Sequence, residues 1–197
     1  VGQAYRSTDY LIGMVKDMLN ISRMEQGRMT FNLAPGNLLK TVNEALEGFD
    51  LKVEAKNIYF TINTAGIPQD TTAYYDEGKI RECLVNLVGN AIKFTKEGGV
   101  TVSFEDLGQH IQISIVDTGV GISNEEVPKL FKKFGKGESS YRKTSETGGT
   151  GLGLYIVKMY VESMGGQIGY HSDGDFKGSH FWFTVPKHTV LHDEETK

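Results

Sequence analysis

The nine residues 86-NLVGNAIKF-94 constrain the fold more than any other stretch, because they give one helix two faces of opposite character. Ile80, Leu84, Leu87 and Ala91 recur at three- and four-residue steps and form an apolar stripe that has to lie against something equally apolar. Asn86, Asn90 and Lys93, spaced by four and three, stand together on the other face. The pattern predicts a helix from Asp76 to Thr95 that rests on a sheet by one side and presents two amides and an amine on the other. Asparagine is a middling helix former, so two of them one turn apart require a use. Either they are hydrogen-bonded core amides, or they bind a ligand. An amide oxygen suits Mg²⁺, which takes one or two protein oxygens and leaves its other positions to phosphates and waters, and Lys93 would then reach a phosphate.

Strands able to receive such a helix surround it. The runs 100-VTVSFE-105 and 110-HIQISIV-116 alternate with a period of two and read as a hairpin turning at Asp106 to Gln109. A short strand, 58-IYFTIN-63, precedes the helix, and 167-QIGYHS-172 and 181-FWFTV-185 follow late in the chain. Helical periodicity also marks residues 4 to 26, with a stripe of Leu11, Met14, Val15, Met18, Leu19 and Ser22 that needs a partner. It marks 37 to 57, through Leu38, Val42, Ala45, Leu46 and Phe49, then a short piece near Ser123 to Phe134, and the segment opened by Leu152. Asn32 to Gly36, containing Pro35, reads as a break. Helices set against a mixed or antiparallel sheet predict an α+β fold, a two-layer α/β sandwich with its helices on one face, over residues 31–187. A long helix within residues 1–30 precedes it, and a polar tail, 188–197, follows.

Composition narrows the function classes. With 197 residues, 39% of them hydrophobic, and no apolar run long enough to span a bilayer, the expectation is a soluble chain without membrane contact of its own. A formal charge of −4 argues against nucleic-acid binding by bulk electrostatics. Cys83 is a lone cysteine in an apolar helical pattern, which excludes an internal disulfide framework or a Cys-rich zinc site and reads as a buried thiol. No signal peptide is visible and Val1 begins inside a helical pattern, so the expectation is a cytoplasmic piece of a longer protein, with an upstream membrane anchor left open.

Two glycine-bearing segments complete the chemistry. In 117-DTGVGI-122, at the end of an apolar strand, Asp117 is either a turn former or a carboxylate on the floor of an apolar pocket, able to accept a hydrogen bond from an exocyclic amine such as that of adenine. Gly119 and Gly121 would let the backbone pass close beneath the ring. The stretch 148-GGTGLGLYIVK-158 fits neither the dinucleotide fingerprint nor the P-loop, since both would need a residue other than Leu154 at that position. What remains is a glycine-rich approach to a helix N-terminus, a general setting for anions.

The order of an Asn-rich helix (about 82–95), D-x-G-x-G (117–122), paired phenylalanines in 131-FKKF-134 and G-x-G-L-G-L (within 148–154) resembles the ATP-binding catalytic domain of two-component sensor histidine kinases. That domain belongs to the Bergerat-fold group shared with gyrase B, Hsp90 and MutL. The resemblance covers nearly the whole chain, for 17-DMLNISRMEQGRMTFNLAP-35 looks like the end of the family's second dimerisation helix and its junction with the catalytic domain. It implies Mg²⁺ and ATP as cofactors, with Asn90 the metal ligand and Asn86 and Lys93 the catalytic positions, Lys93 contacting phosphate. Asp117 would accept from the adenine amine, with Gly119, Gly121, Ile122, Phe131, Phe134 and Lys136 lining the nucleotide. Gly149, Thr150, Gly151, Leu152, Gly153 and Leu154 would form the loop closing on the β- and γ-phosphates, and residues 135 to 147 the lid.

The same resemblance implies a protein-histidine kinase rather than an ATPase. Hydrolytic members of the group carry a glutamate where this chain has Asn86, and an amide cannot serve as general base. It also implies a homodimer formed through the dimerisation helices and a response-regulator receiver domain as phosphate acceptor. None of His110, His171, His180, His188 and His192 has the setting of a phosphoacceptor, so this chain is expected to bind Mg·ATP without phosphorylating itself. Two positions depart from the family: Lys136 stands where an arginine is common, and Phe94 where a tyrosine is. A non-catalytic nucleotide-binding module and an anti-sigma-type serine kinase share the same pocket and stand as alternatives.

Overall fold

The computed structural model describes residues 2–135, 150–174 and 177–187. Helix α1 (Gly2–Glu25) comes first, then strand β1 (Ala34–Asn37), helices α2 (Leu38–Leu46) and α3 (Asp50–Lys56), strands β2 (Tyr59–Asn63) and β3 (Thr72–Tyr75), and helix α4 (Glu77–Phe94). The hairpin β4 (Gly99–Asp106) and β5 (His110–Asp117) follows, and then α5 (Gly153–Ser163), β6 (Ile168–His171) and β7 (Ser179–Pro186). Five strands make one sheet in the order β2-β4-β5-β7-β6. β2 runs parallel to β4, and the other neighbours are antiparallel, so the sheet is mixed as expected.

The period-two alternation of the strands decides which face is covered. Val100, Val102 and Phe104 of β4, Ile111, Ile113 and Ile115 of β5, and Phe183 and Val185 of β7 are buried against the helices. Thr101, Ser103, Gln112, Val116 and Trp182 alternate with them on the opposite, more open face. Helix α4 lies on the covered face between α2 and α5. Its stripe of Ile80, Leu84, Leu87 and Ala91 is buried together with Cys83 and Val88. The helix begins where the Asp76 side chain accepts from the Lys79 amide at 3.1 Å, a side-chain N-cap, and ends at Thr95.

Three local expectations are corrected. The helical pattern of 37–57 is broken by a 3₁₀ turn at Glu47–Phe49, which swings Phe49 into the core and separates α2 from α3. The expected helix near Ser123 to Phe134 shrinks to a 3₁₀ turn at Val127–Lys129 with Pro128 at its start, because proline lacks the N–H that a continuing helix needs. The break at Asn32 to Gly36 instead contributes β1, which pairs antiparallel with β3 in a separate two-stranded sheet. Proline is tolerated there because the strand has a free edge. The hydroxyls of Tyr75 and Thr41 share a buried hydrogen bond of 2.8 Å beneath it.

Helix α1 lies against α5. Ile21 is buried there, while Leu11, Ile12, Val15, Met18 and Leu19 remain about half exposed or more on the other side. The apolar stripe expected to need a partner therefore faces outward. No helix among the described residues is long and apolar enough to cross a membrane.

Neighbouring positions on α4 offer a test of this layering. Leu84 is fully buried and Val85 is 48% exposed. Urea unfolding should show Leu84→Ala losing about 2–5 kcal/mol, and Val85→Ala losing no more than about 0.5 kcal/mol, as for a surface substitution.

Candidate functional site

The site begins with a break in an apolar alternation. Ile111, Ile113 and Ile115 point into the core, and the next inward position of β5 is Asp117, only 7% exposed. Burial pushes its pKa above the ordinary carboxylate value, opposed by hydrogen bonds from the backbone amides of Gly119 and Ser179. The Gly119 amide donates to Asp117 Oδ1 at 2.8 Å. A Cβ on Gly119 would stand 2.6 Å from the Phe94 carbonyl oxygen and 2.8 Å from Asp117 Oδ1, so only glycine allows the loop to run this close. The loop is also tied to β7: Gly178 N–H donates to the Gly119 carbonyl at 3.1 Å. The Ile122 amide donates to Ser172 Oγ at 3.1 Å, and Ser172 Oγ–H donates to the Gly178 carbonyl at 2.8 Å. Gly121 takes a left-handed φ of 69° within this loop.

The polar face of α4 forms the adjoining wall. Asn86, Asn90 and Lys93 are each half-buried, and the Lys93 ammonium lies 5.0 Å from the centroid of the Phe94 ring. The Asn86 amide nitrogen donates to the Glu82 carbonyl at 3.0 Å. Its oxygen is turned to the start of α5, where a Cβ on Gly153 would come within 2.6 Å of Asn86 Oδ1. The asparagine helix and the glycine-rich stretch, more than sixty residues apart, are thereby brought into contact. Leu152 is fully buried and plugs the start of α5 into the core, Leu154 packs against the same core, and Gly151 has a φ of 72°. The Leu152 amide donates to Thr150 Oγ1 at 3.2 Å. The N-cap residue of α5, Leu152, makes no side-chain cap hydrogen bond, and a helix N-terminus is a general setting for an anion.

The paired phenylalanines separate. Phe131 packs on Tyr170 and Phe181, with ring centroids 6.2 and 6.4 Å away. Phe134 is 54% exposed with a φ of 56° and does not join that cluster. Lys136 and Gly149, and all of the lid expected over 135–147 except Gly135, lie outside the described residues. Lys133, one of the lysines between the phenylalanines, is ion-paired with Glu25 of α1.

Sequence reasoning missed what α1 does here. Thr150 Oγ1 donates to Asp17 Oδ2 at 3.4 Å, Tyr155 Oη to Glu25 Oε1 at 3.4 Å, and the Asn20 amide to Tyr160 Oη at 3.1 Å. Each joins residues more than a hundred positions apart, beyond the reach of any local pattern. Ser172, Gly178 and Ser179, which brace the Asp117 loop, were equally unmarked, because 172-SDGDFKGS-179 reads as an ordinary turn between strands.

The buried carboxylate has a stability signature. Its folded pKa lies above the ordinary 3.8, so the charged form costs stability above that window and the cost disappears as the pH falls through it. Asp117→Asn keeps an oxygen acceptor for Gly119 and Ser179. It should melt at a higher temperature than the wild type at pH 7, and the gain should be absent well below pH 3.8. A gain that is independent of pH in calorimetric scans would refute a charge-burial cause.

Residues 75–189 match the family of histidine kinase-, DNA gyrase B-, and HSP90-like ATPases. The sensor histidine kinase GacS of Pseudomonas protegens is 35% identical over 193 residues, covering 94% of this chain and 20% of that protein. The signal transduction histidine-protein kinase BarA of Escherichia coli is 32% identical over 186 residues, covering 91% and 20%. Among solved structures, full-length ShkA in complex with AMPPNP gives a TM-score of 0.79 at 28% identity, over 94% of this chain and 37% of that one. ThkA in complex with the response regulator TrrA gives 0.72 at 26%, over 94% and 49%. The chain spans about a fifth of the length of these curated relatives. The matched residues run from Tyr75 at the end of β3 past the end of β7 and enclose the whole site, and the chain belongs to the histidine kinase-, DNA gyrase B-, and HSP90-like ATPase family, with sensor histidine kinases as its relatives.

Proposed function

We propose that this chain is the Mg·ATP-binding catalytic part of a sensor histidine kinase, residues 31–187 forming the catalytic domain and 1–30 the end of a dimerisation helix. The observation that carries the reading is that one helix, α4, meets the start of α5 through Asn86 and Gly153 and, at its end, the loop after Asp117 through Phe94 and Val120. Asp117 is the acceptor for the adenine amine, and Gly119, where no Cβ fits beside the Phe94 carbonyl, lets the loop after it pack against the end of α4. Asn90 supplies the amide oxygen for Mg²⁺, Lys93 meets phosphate, and the N–H groups at the start of α5 meet the phosphate tail. The donor set suits such a ligand: a buried carboxylate for the amine, and amide and ammonium groups on one half-buried helix face for metal and phosphate. ATP supplies the phosphoryl group to be transferred.

Asn86 keeps the site from wasting it. Its amide nitrogen is held by the Glu82 carbonyl, so the side chain faces α5 as an oxygen acceptor with no capacity to take a proton from water. Glu82, one turn further back, is paired with Lys16 and Lys79 at 3.7 and 3.8 Å. The phosphoryl group is thus reserved for a histidine, which we place on a helix outside this sequence, and then for the aspartate of a response-regulator receiver domain. ThkA, solved in complex with the response regulator TrrA, supports a response regulator as partner. The outward stripe of Leu11, Val15 and Met18 suits a homodimeric helical bundle in the whole protein. We assign the reaction to the cytoplasm, where ATP and receiver domains meet.

Calorimetric titration with a non-hydrolysable ATP analogue should show Mg²⁺-dependent binding that Asn90→Ala abolishes; unchanged affinity in that variant would overturn the metal assignment. Incubation with γ-labelled ATP should leave this chain unlabelled. Fusing a helix that carries a phosphoacceptor histidine should produce an acid-labile phosphate, and a labelled histidine within residues 1–197 would refute the reading.

A further inference from the structure

The last turn of α4 carries Lys93 and borders the Asp117 loop, and its stability rests on a residue outside the site. A helix C-terminus leaves its final carbonyls without partners in the helix. Here five consecutive ones are each supplied. The Ala91 carbonyl accepts from the amide and the hydroxyl of Thr95 at 3.1 and 2.7 Å. The Phe94 carbonyl accepts from the Val120 amide at 3.3 Å, which ties the helix end to the loop that holds Asp117. The other three, those of Ile92, Lys93 and Thr95, all accept from one group: Lys56 Nζ, at 2.6, 2.9 and 2.9 Å. Lys56 is the final residue of α3. An ammonium has three N–H donors, and here all three are spent on neighbouring carbonyls at the negative end of the α4 dipole.

Lys56 is a surface lysine whose three donors are all engaged. Lys56 belongs to a different helix, contacts neither Asp117 nor the Asn86–Asn90 face, and binds only backbone. The residue is exposed, and partial desolvation of its ammonium, with the nearby Lys96 adding to it, lowers its pKa. Because the Phe94 carbonyl between its acceptors holds Val120, any loosening of this turn reaches the Asp117 loop directly. The closeness of that loop is tight enough that Gly119 has no room for a Cβ beside the same carbonyl.

We propose that Lys56 is a positioning residue of the nucleotide site, its ammonium clamping the end of α4 so that Lys93 and the Asp117–Ile122 loop are held in one arrangement. The inference rests on the nucleotide reading given above, and the measurements separate the two. In the full chain, Lys56→Met keeps the aliphatic stem and removes the donors, Lys56→Gln keeps a weaker donor, and Lys56→Arg keeps the charge. Hydrogen exchange should speed up at the Thr95 and Val120 amides in Lys56→Met while Ile113 and Phe183 in the sheet keep their wild-type rates. The dissociation constant for the ATP analogue should rise about tenfold, the size typical of removing a hydrogen-bonded support behind a ligand-holding group. Lys56→Arg should restore both readouts, with Lys56→Gln intermediate and serving as the test if the methionine variant does not fold. Unchanged exchange at Thr95 and Val120, an increase spread evenly over the sheet, or unchanged affinity in a folded variant would overturn the proposal. If the wild type itself failed to bind the analogue, the nucleotide reading would fall, and local exchange at Val120 would still decide whether Lys56 holds the loop.

Discussion

Burial of the α4 stripe against β4 and β5 is the interaction on which the rest of this structure depends. Ile80, Leu84, Leu87 and Ala91 remove a continuous apolar strip from water, and burial of this kind is the dominant favourable term in folding. Because the helix has a fixed rise and twist, seating that strip also fixes the direction in which Asn86, Asn90 and Lys93 point. The site's polar wall is therefore a by-product of core packing, held as rigidly as the core itself. A functional face on the reverse of a buried stripe needs no separate device to orient it.

The floor of the site works the other way, by departing from the core's rule. Asp117 occupies an inward position that Ile111, Ile113 and Ile115 would predict to be apolar. Amides of Gly119 and Ser179 satisfy its oxygens in part, yet burial still raises its pKa. A carboxylate already removed from water would bind a donor more strongly than a hydrated one, which fits the role proposed for Asp117. The glycines beside it serve the same end by letting backbone carbonyls and amides come closer than any side chain would permit.

Around these two features the chain gathers supports from distant segments. Ser172 and Gly178 brace the loop after Asp117, and Asp17, Asn20 and Glu25 of α1 touch Thr150, Tyr160 and Tyr155 of the glycine stretch and α5. Most are single hydrogen bonds at or near the surface, each modest in energy. Their importance is geometric: α1 contacts the glycine stretch and α5, so the placement of one helix is linked to the shape of the candidate site.

Much of this was legible in the sequence. The three-and-four spacing of α4, the alternation of β4 and β5, the lone inward aspartate and the glycine pairs are properties of residues close together in the chain, and local periodicity reports them faithfully. The layered α+β fold and most of the residues of the candidate site followed from those patterns. What local reading missed was decided by packing: the small sheet of β1 and β3, the 3₁₀ break before Phe49, and the parting of Phe131 from Phe134. The sequence by itself determined which polar residue types stand together on one helix face and which face of each element is apolar, because those depend on residue type and on fixed helical and strand periods. Only the tertiary structure decided that Asn86 meets Gly153, that α1 reaches Thr150, and that Lys56 closes the end of α4. Such contacts join residues whose separation along the chain has no bearing on their separation in space.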